Sequence, residues 1–416
     1  MERITRRRIL IHSIVFSPDS VSTAYLYNDI ALGFKDDGYQ VVVLTTTPHY
    51  NIIEKNLLKQ PLRKKLFGLF FISDFNGIYV IHIPCRKHKS TLLRIFSFIY
   101  WHFFSFLISL TIKKLDFILS PSPPLTIGFV SILIAKIKKA KFIYNVQEIY
   151  PDLLIKNGTI KSNILIKLFK WLESYIYNNA TAVITIDQKF YDQIVGRFNN
   201  KDKLKIIPNF VDTDLYKPLT ESIIFKKPFI KNPEKIILLY AGNIGFYQDW
   251  EIILYAANKL SDTNIEFWIV GEGVKRLYLL EEIKKQNIRN IKVLPYQNRE
   301  LMPMINSFAD IHFISISKNM EQEGFPSKVY TIMASAKPMI IVTGKETPLY
   351  NLLKDLNCSI LITENKYEKF INAIIELSID KKKQIELGIN GFNEIQKNYT
   401  KKIIIKKYIE FLHELQ

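Results

Sequence analysis

Cysteine is scarce in this sequence, and its scarcity excludes several classes of protein. The 416 residues include only Cys85 and Cys358, which lie in different halves of the chain. Two isolated cysteines form neither a disulfide framework nor the paired ligands of a zinc site. The basic Arg6-Arg7-Arg8 precedes only a short apolar run that soon meets Pro18, so no signal peptide is predicted. These features are typical of a protein of the reducing cytoplasm.

Polar low-complexity tracts are absent too, and acidic residues are fewer than basic ones. The chain has 57 Lys and Arg against 39 Asp and Glu, a net charge of +18. Counted along the sequence, residues 1–216 hold 29 basic and 16 acidic residues, and the remainder holds 28 and 23. The excess in the first half favours an anionic partner, either a membrane surface or nucleic acid, although part of it reflects a lysine-rich composition. No helix-turn-helix spacing, zinc motif or aromatic RNA platform supports nucleic acid.

Apolar strands alternate with helices in both halves, which predicts an α/β fold with doubly wound parallel sheets. Strands are predicted at residues 8–16, 40–46, 77–83, 116–120, 141–147 and 182–186, and then at 235–241, 265–270, 291–294, 311–315, 339–343 and 359–363. A helix over residues 23–36 is expected to be capped by Ser22 or Thr23. The predicted divisions are an N-terminal domain over 1–216, a polar linker over 217–234, a C-terminal domain over 235–400 and a last helix over 401–416.

One predicted helix meets the length threshold for a membrane span. Residues 95–112 contain no Asp, Glu, Lys or Arg. The helix lies where a crossover between strands is required, and a span there would divide one sheet across a membrane, so we predict no span. It is either buried or exposed in the membrane interface. The neighbouring basic stretch, residues 55–71, is either a solvated loop or a membrane contact, and we favour the contact.

Two turns at the ends of predicted strands are candidate ligand sites. A turn with Pro326 delivers Ser327 and Lys328 to the start of a helix, where free N–H groups, the helix dipole and the lysine charge suit a phosphate. The alternative is an ordinary turn capped by Ser327, with Lys328 in solvent. The second turn, residues 242–245, carries two glycines but is not GxGxxG. Both follow strands of one parallel sheet, at the edge where α/β folds bind ligands.

In this order the motifs resemble the family 4 glycosyltransferases of GT-B fold. The matching segments are residues 17–24, 38–45, 48–51, 122–125, 150–152, 242–245 and 326–330. The closer resemblance is to the N-acetyl-L-fucosamine transferases of O-antigen synthesis and the colanic acid transferases. It implies two Rossmann-like domains facing a cleft, with the nucleotide bound by the C-terminal domain, the acceptor by the N-terminal domain, and the last helix crossing back to the N-terminal domain.

The implied reaction moves a sugar from a nucleotide sugar, expected to be UDP-linked, to a polyprenyl-diphosphate-linked glycan of an O-antigen or capsule. The anomeric configuration is expected to be retained, without a metal ion or cofactor. The protein is then expected to be cytoplasmic and peripheral, with its basic N-terminal domain on the anionic inner face of the cytoplasmic membrane. Two alternatives remain, a GT-B nucleotide-sugar 2-epimerase and a basic nucleic-acid-binding protein.

The resemblance also assigns donor-site roles. Glu323 matches the first of two glutamates eight positions apart and is expected to hold a sugar hydroxyl. Thr331 stands where the second binds the ribose, and Thr331 or Tyr330 replaces only one of its hydrogen bonds. Many relatives carry Arg and Lys where this chain has Asn243 and Gln248, which leaves more of the phosphate charge to Lys328. The expected donor contacts are Gly242, Asn243, Gly245, Gln248, Ser327, Lys328, Tyr330 and Thr331.

In the N-terminal half, Glu148 and Asp152 are candidates for acceptor orientation or proton handling, with helix capping as the alternative role. His49 and Ser22 are further acceptor-site candidates. Relatives often have His and Asp where this chain has Gln147 and Glu148, and in several that His contacts the sugar 6-hydroxyl. Its absence leads to the hypothesis of a 6-deoxy donor sugar, such as N-acetyl-L-fucosamine.

Overall fold

The computed structural model describes residues 6–85, 90–156, 158–219, 232, 234–321 and 325–416. These residues divide into two compact units. Unit 1 is Met1–Asn209 with Ile404–Gln416, and unit 2 is Phe210–Ile403. The first boundary therefore falls at residue 210, before the predicted linker. The last residues belong to unit 1, whose core they join through the buried side chains of Ile404 and Tyr408.

Unit 1 is built on one nine-stranded sheet of order β3-β4-β5-β2-β1-β6-β7-β8-β9. Its strands are β1 (Arg8–His12), β2 (Gln40–Thr46), β3 (Arg63–Lys65), β4 (Phe70–Phe75), β5 (Ile78–Ile83), β6 (Phe117–Ser122), β7 (Lys141–Val146), β8 (Ala182–Thr185) and β9 (Leu204–Ile206). Its helices are α1 (Ser22–Asp36), α2 (Glu54–Lys59), α3 (Thr91–Thr111), α4 (Leu125–Lys138), α5 (Asp152–Lys156), α6 (Asn163–Asn179) and α7 (Gln188–Ile194). The sheet is parallel except for β4, which pairs antiparallel with β3 and β5.

Unit 2 has a six-stranded, fully parallel sheet of order β12-β11-β10-β13-β14-β15. Its strands are β10 (Ile236–Ala241), β11 (Ile265–Val270), β12 (Ile291–Leu294), β13 (Ile311–Ser315), β14 (Met339–Val342) and β15 (Ser359–Ile362). Its helices are α8 (Trp250–Lys259), α9 (Arg276–Lys285), α10 (Met302–Phe308), α11 (Lys328–Ala334), α12 (Pro348–Leu353), α13 (Lys366–Ile379) and α14 (Lys381–Asn398). A final helix, α15 (Lys401–Glu414), leads back into unit 1.

The predicted α/β class, with two doubly wound parallel sheets, is confirmed. Central strands such as β1 and β13 are buried along almost their whole length, because helices cover both faces of a parallel sheet. In unit 2 the strand order reverses between β10 and β13, and in unit 1 between β1 and β6. Ligands of open α/β sheets bind outside the carboxyl ends of the strands at such reversal points.

The helix α3 is the crossover between β5 and β6. Over Leu92–Thr111 it is long and apolar enough to cross a membrane, judged by length and composition alone. Only 22% of its most apolar stretch is buried, so of the two alternatives for this helix, buried or exposed, the structure favours the exposed one for most of its residues. The basic stretch before it is not a plain loop. It contains α2 and then the strands β3 and β4, which extend the edge of the sheet.

Candidate functional site

Two glycine-containing loops meet at the carboxyl ends of β10 and β11. Gly242 follows β10 with a φ of 145°, a conformation that side chains other than glycine rarely adopt. Gly271 follows β11, and a Cβ added there would lie 1.9 Å from the Gly242 carbonyl oxygen. The two loops therefore pack backbone against backbone, and neither glycine can gain a side chain without moving its neighbour. The same contact brings the backbone close to whatever binds at this edge.

Hydrogen bonds between these loops limit which amides reach a ligand. The Gly242 N–H donates to the Val270 carbonyl at 2.9 Å, and the Ile244 N–H donates to the Glu272 carbonyl at 2.8 Å. Of the four backbone amides of residues 242–245, those of Gly242 and Ile244 are thus already engaged, which leaves the amides of Asn243 and Gly245 as the candidates for a diphosphate. The second loop, Gly271-Glu272-Gly273, was missed by the sequence reasoning. The signal that could have identified this loop is a Gly-x-Gly sequence directly after the apolar strand β11.

Lys328 brings a positive charge to the sheet edge formed by these two loops. Its ammonium lies 3.5 Å from the centroid of the Tyr240 ring, and a Cβ on Gly242 would lie 2.7 Å from its Nζ. The side chain as a whole is partly buried, but its charged end is packed against the ring and the glycine loop. Burial lowers the pKa of Lys328 well below its ordinary value. The ion pairs formed among the described residues do not include Lys328.

Helix α11 starts at Lys328 and is only seven residues long. Ser327 precedes it and is exposed, and its side chain makes no capping hydrogen bond to the helix. The Thr331 hydroxyl donates to the Lys328 carbonyl at 2.9 Å, which leaves the oxygen only its acceptor capacity. Ser327 and Lys328 therefore lie on the same turn as Thr331. A helix this short adds little dipole, so the lysine charge dominates.

Tyr330 does not lie where a donor contact was predicted. It is 4% exposed, with its ring between Phe325 at 5.2 Å and Tyr399 at 5.0 Å. It belongs to the apolar core of unit 2, so the prediction of a ribose contact is wrong for its ring. Glu323 lies outside the described residues, and its role stays a prediction from the resemblance.

Gln248 and Asn243 flank the glycine loop in different environments. Gln248 is buried, and in the described part of the chain its Oε1 has no hydrogen-bond partner. Asn243 is exposed, and its carbonyl accepts a hydrogen bond of 2.6 Å from the Tyr240 hydroxyl. Tyr240 thus positions both the loop and the lysine, a role that the sequence did not indicate.

In unit 1, Glu148 follows β7 and is the carboxylate with the properties of an acid–base group. Burial raises the pKa of Glu148 to about 7. The Ser122 hydroxyl donates to its carbonyl at 2.9 Å and fixes the backbone after the strand. A carboxyl group that titrates near neutral pH can both accept and return a proton.

Asp152 is a different case, because its carboxylate forms an ion pair with Arg197, which also binds Glu173. Asp152 therefore holds α5 against the 195–197 turn, and its part in acceptor orientation or proton handling stays a prediction. Glu173, missed by the sequence reasoning, is buried, and desolvation raises its pKa to about 7 despite the arginine.

His49 lies in a loop fixed by Asp19. The Asp19 carboxylate accepts hydrogen bonds from the backbone N–H groups of His49 at 2.8 Å and Tyr50 at 2.7 Å. His49 Nδ1 lies 2.8 Å from the Thr47 carbonyl, which only accepts, so Nδ1 carries the proton in this arrangement. In the neutral ring Nε2 is then the acceptor that can meet a substrate hydroxyl.

Ser22 is exposed at the first position of α1. Val21 occupies the N-cap without a side-chain cap, so the prediction that Ser22 or Thr23 caps the helix is wrong. Gln147 is engaged on both sides of its amide. Its Nε2 donates to Asn145 Oδ1 at 3.1 Å, and its Oε1 accepts from Asn209 at 2.8 Å.

No group of three His, Cys, Asp or Glu side chains is placed to hold a metal ion among the residues that the structure describes.

Two family models match successive parts of the chain. Residues 25–215 match the family model described as Glycosyltransferase Family 4, and residues 221–394 match Glycosyl transferases group 1. The chain belongs to the group 1, family 4 glycosyltransferases. It is a transferase enzyme, and the matches together span both units.

Two curated glycosyltransferases are similar to this chain over most of its length, and one of them is named for colanic acid biosynthesis. The chain is 23% identical to the putative colanic acid biosynthesis glycosyl transferase WcaI of Escherichia coli K12, over 83% of this chain and 85% of the relative. It is 24% identical to the probable glycosyltransferase WbjE of Pseudomonas aeruginosa, over 78% of this chain and 81% of the relative. The resemblance to the branch indicated by the sequence motifs is thus confirmed.

Solved structures share the GT-B fold. Sucrose-phosphate synthase of Thermosynechococcus elongatus matches with a TM-score of 0.77 at 14% identity, covering 99% of each chain. HepE of Anabaena, solved in complex with UDP and glucose, matches with a TM-score of 0.73 at 15% identity, covering 98% of this chain and 100% of its own. At these identities the likeness establishes the fold.

Proposed function

We propose that this glycosyltransferase moves a sugar from a UDP-sugar to a lipid-linked glycan during synthesis of a bacterial surface polysaccharide. Two observations on relatives support it. WcaI is named for colanic acid biosynthesis, and HepE is solved with UDP and glucose. The polyprenyl-diphosphate acceptor follows from the resemblance to the O-antigen and colanic acid transferases.

The observation that carries the proposal is the position of the Lys328 ammonium beside the glycine loop. Its ammonium is held against the Tyr240 ring and Gly242, at the strand-order reversal of unit 2. When the glycosidic bond to UDP breaks, negative charge develops on the leaving diphosphate and must be stabilised. A cation already removed from water does this without reorganisation. Lys328 therefore takes the place that a metal ion has in other transferases, and no metal ion or cofactor is required.

Other donor contacts complete this half of the site. The Asn243 and Gly245 amides and the Ser327 hydroxyl are the remaining donors for the diphosphate, and the Gln248 Oε1 is an acceptor for a ligand hydroxyl or base N–H. Thr331 offers acceptor capacity to the ribose, and Glu323 a carboxylate to the donor sugar.

In unit 1, we assign Glu148 and His49 to the acceptor. The His49 Nε2 accepts a hydrogen bond from the attacking hydroxyl of the acceptor. The Glu148 carboxylate, with a pKa of about 7, takes up the proton that this hydroxyl releases. Retention of the anomeric configuration is part of the proposal. Proton–proton coupling at the new anomeric centre tests it, and an inverted product would contradict it.

The donor sugar is proposed to be 6-deoxy. The amide of Gln147, at the position where relatives use His for the 6-hydroxyl, is already bound to Asn145 and Asn209. A 6-hydroxyl would have to compete with Asn145 and Asn209 for this amide, whereas a methyl group needs no partner. UDP-N-acetyl-L-fucosamine should therefore be a better donor than its 6-hydroxylated analogue, measured as kcat/KM. The reverse order would contradict this assignment.

The protein is proposed to act at the inner face of the cytoplasmic membrane. Unit 1 carries most of the basic excess and the exposed apolar face of α3, and anionic lipid attracts such a surface.

A transfer assay tests the whole proposal. UDP-sugars labelled in the sugar are incubated with membranes that contain polyprenyl-diphosphate glycans, in EDTA. Label should move to the lipid fraction with wild type and with the exposed-lysine control Lys382→Met, and fall at least about 100-fold with Lys328→Met. An isomerised UDP-sugar without transfer would instead indicate the 2-epimerase.

A further inference from the structure

An apolar stripe runs along the exposed face of α3. Leu92, Phe96, Ile99, Phe103 and Leu107 recur at intervals of three and four residues and are between 40% and 69% exposed. On the other face of the same helix, Trp101 and Ser105 are completely buried. The stripe spans sixteen residues, and the fifteen steps between them rise about 22 Å at 1.5 Å per residue. That is longer than one ~15 Å half of a bilayer's hydrocarbon core.

The first turns of α3 lie at the carboxyl edge of the unit 1 sheet. A crossover helix between parallel strands runs back against the strand direction, so its N-terminus lies where the strands end. Contacts agree with this placement. The Trp101 ring stacks on His12, the last residue of β1, with centroids 5.2 Å apart. Ser97 of the helix lies close enough to Cys85, two residues after β5, to lower the pKa of its thiol against the effect of burial.

A small cavity of about 150 Å³ opens between this helix and the strand ends. Thr46, His49 and Cys85 line it from the sheet, and Arg94 and Phe98 line it from α3. The volume is well below the ~300 Å³ of the smallest usual ligand pockets, so the cavity takes one group of a ligand rather than a whole ligand. Arg94 is exposed and lies within the first turn of the apolar stripe.

We propose that this cavity binds the phosphate of a polyprenyl phosphate or diphosphate at Arg94, with the hydrocarbon chain lying along the α3 stripe. The inference rests on the proposed function, because the ligand is its acceptor. A planar guanidinium pairs with phosphate oxygens in two parallel hydrogen bonds. The apolar stripe that begins beside Arg94 shields a hydrocarbon chain from water. The His49 Nε2, on the sheet side of the cavity, then meets the glycan end of the ligand.

Binding to vesicles separates this site from a general affinity for anionic lipid. Phosphatidylcholine vesicles are doped with polyprenyl phosphate or with phosphatidylglycerol, matched in surface charge. Arg94→Gln is compared with Arg289→Gln, an exposed arginine of unit 2. A double change in the stripe, Leu92→Ser with Ile99→Ser, is compared with Leu277→Ser with Ile379→Ser, which are 72% and 81% exposed in unit 2.

Arg94→Gln should weaken binding to polyprenyl phosphate vesicles about tenfold or more and leave binding to phosphatidylglycerol vesicles within about twofold. The stripe variant should lose at least about tenfold on polyprenyl phosphate vesicles, and neither control should change. Equal losses of Arg94→Gln on both lipids, or no loss on either, would overturn the inference.

Calorimetric titration with UDP distinguishes a failure of the lipid site from a failure of the proposed function. Both α3 variants should bind UDP as wild type does, because Lys328 and its loop lie in unit 2. If the α3 variants bind UDP and also bind lipid vesicles as tightly as wild type does, only the lipid site is contradicted. An absence of UDP binding in the wild type would contradict the proposed function itself.

Discussion

Replacing Lys328 by Met should stabilise the free protein and abolish donor binding. The ammonium is packed against the Tyr240 ring and the Gly242 loop, and in the described part of the chain it forms no ion pair. Methionine has a similar length and fills the same space without a charge. The substitution should therefore stabilise the UDP-free protein and weaken the UDP complex.

The magnitude follows from two opposing contributions. Removing an ammonium from water costs several kcal/mol, and a desolvated cation–π contact returns about 2 kcal/mol. Because the side chain is only partly buried, we expect a net gain of about 1 kcal/mol in the unfolding free energy of Lys328→Met. For a domain of this size that raises Tm by about 2–4 °C.

UDP should reverse the order of the two Tm values, so that wild type unfolds at a higher temperature than Lys328→Met. At a hundredfold excess over Kd, UDP stabilises wild type by about 2.7 kcal/mol, or about 5–10 °C. Loss of the charged contact costs the variant about 2–4 kcal/mol of binding, so the same UDP concentration leaves its Tm almost unchanged. Thermal unfolding with and without UDP measures both effects, with Lys382→Met as the control. An equal UDP shift in Lys328→Met would refute the reasoning.

The pH dependence provides a further check on the same residue. Burial lowers the pKa of Lys328 in the folded state, so the unfolded chain binds more protons between that pKa and 10.5. The stability of wild type should therefore rise relative to Lys328→Met as pH increases through this window. A constant difference between the two proteins would contradict the buried charge.

Three other predictions concern single residues. Because burial raises the pKa of Glu148 to about 7, the transfer rate should rise through pH 7 in wild type, and Glu148→Gln should remove that step while the exposed Glu54→Gln keeps it. The same raised pKa lowers stability as pH increases from about 4.5 to 7, and Glu148→Gln should reduce this slope in urea unfolding to the part that Glu173 contributes. Arg197→Met leaves Asp152 and Glu173 unpaired and should cost about 3–5 kcal/mol at pH 8, less at pH 6 where Glu173 is protonated, whereas Arg289→Met should cost nothing measurable. Gly271→Ala forces a Cβ towards the Gly242 carbonyl at a φ of 155° and should cost about 3 kcal/mol together with UDP binding, whereas Gly196→Ala, in open space, should stay within about 0.5 kcal/mol.

The central strands were predictable because their pattern is local. β2, β11, β12 and β13 have the bounds expected from their apolar, β-branched runs. The strand β3 was missed because Arg63–Lys65 is polar and exposed, and only backbone pairing with β4 makes it a strand. An edge strand of this kind leaves no hydrophobic alternation in the sequence.

Site residues were predictable where their role depends on neighbours in the sequence, and unpredictable where it depends on residues far away along the chain. Lys328 was found because a turn after a strand is a local feature, but its packing on Tyr240 was not visible. The ion pair of Asp152 was not visible either, because its partner, Arg197, is 45 residues away along the chain. Tyr330 was misassigned for the same reason, since Tyr399 buries its ring from the far end of α14.

Calorimetric titration of the intact protein with UDP, GDP and ADP in EDTA tests the central claim most directly. The account predicts that UDP binds selectively in the absence of a divalent metal ion, and that Lys328→Met loses this binding while Lys382→Met keeps it. Binding of none of the three nucleotides at millimolar concentration, or UDP binding that is unchanged in Lys328→Met, would contradict it.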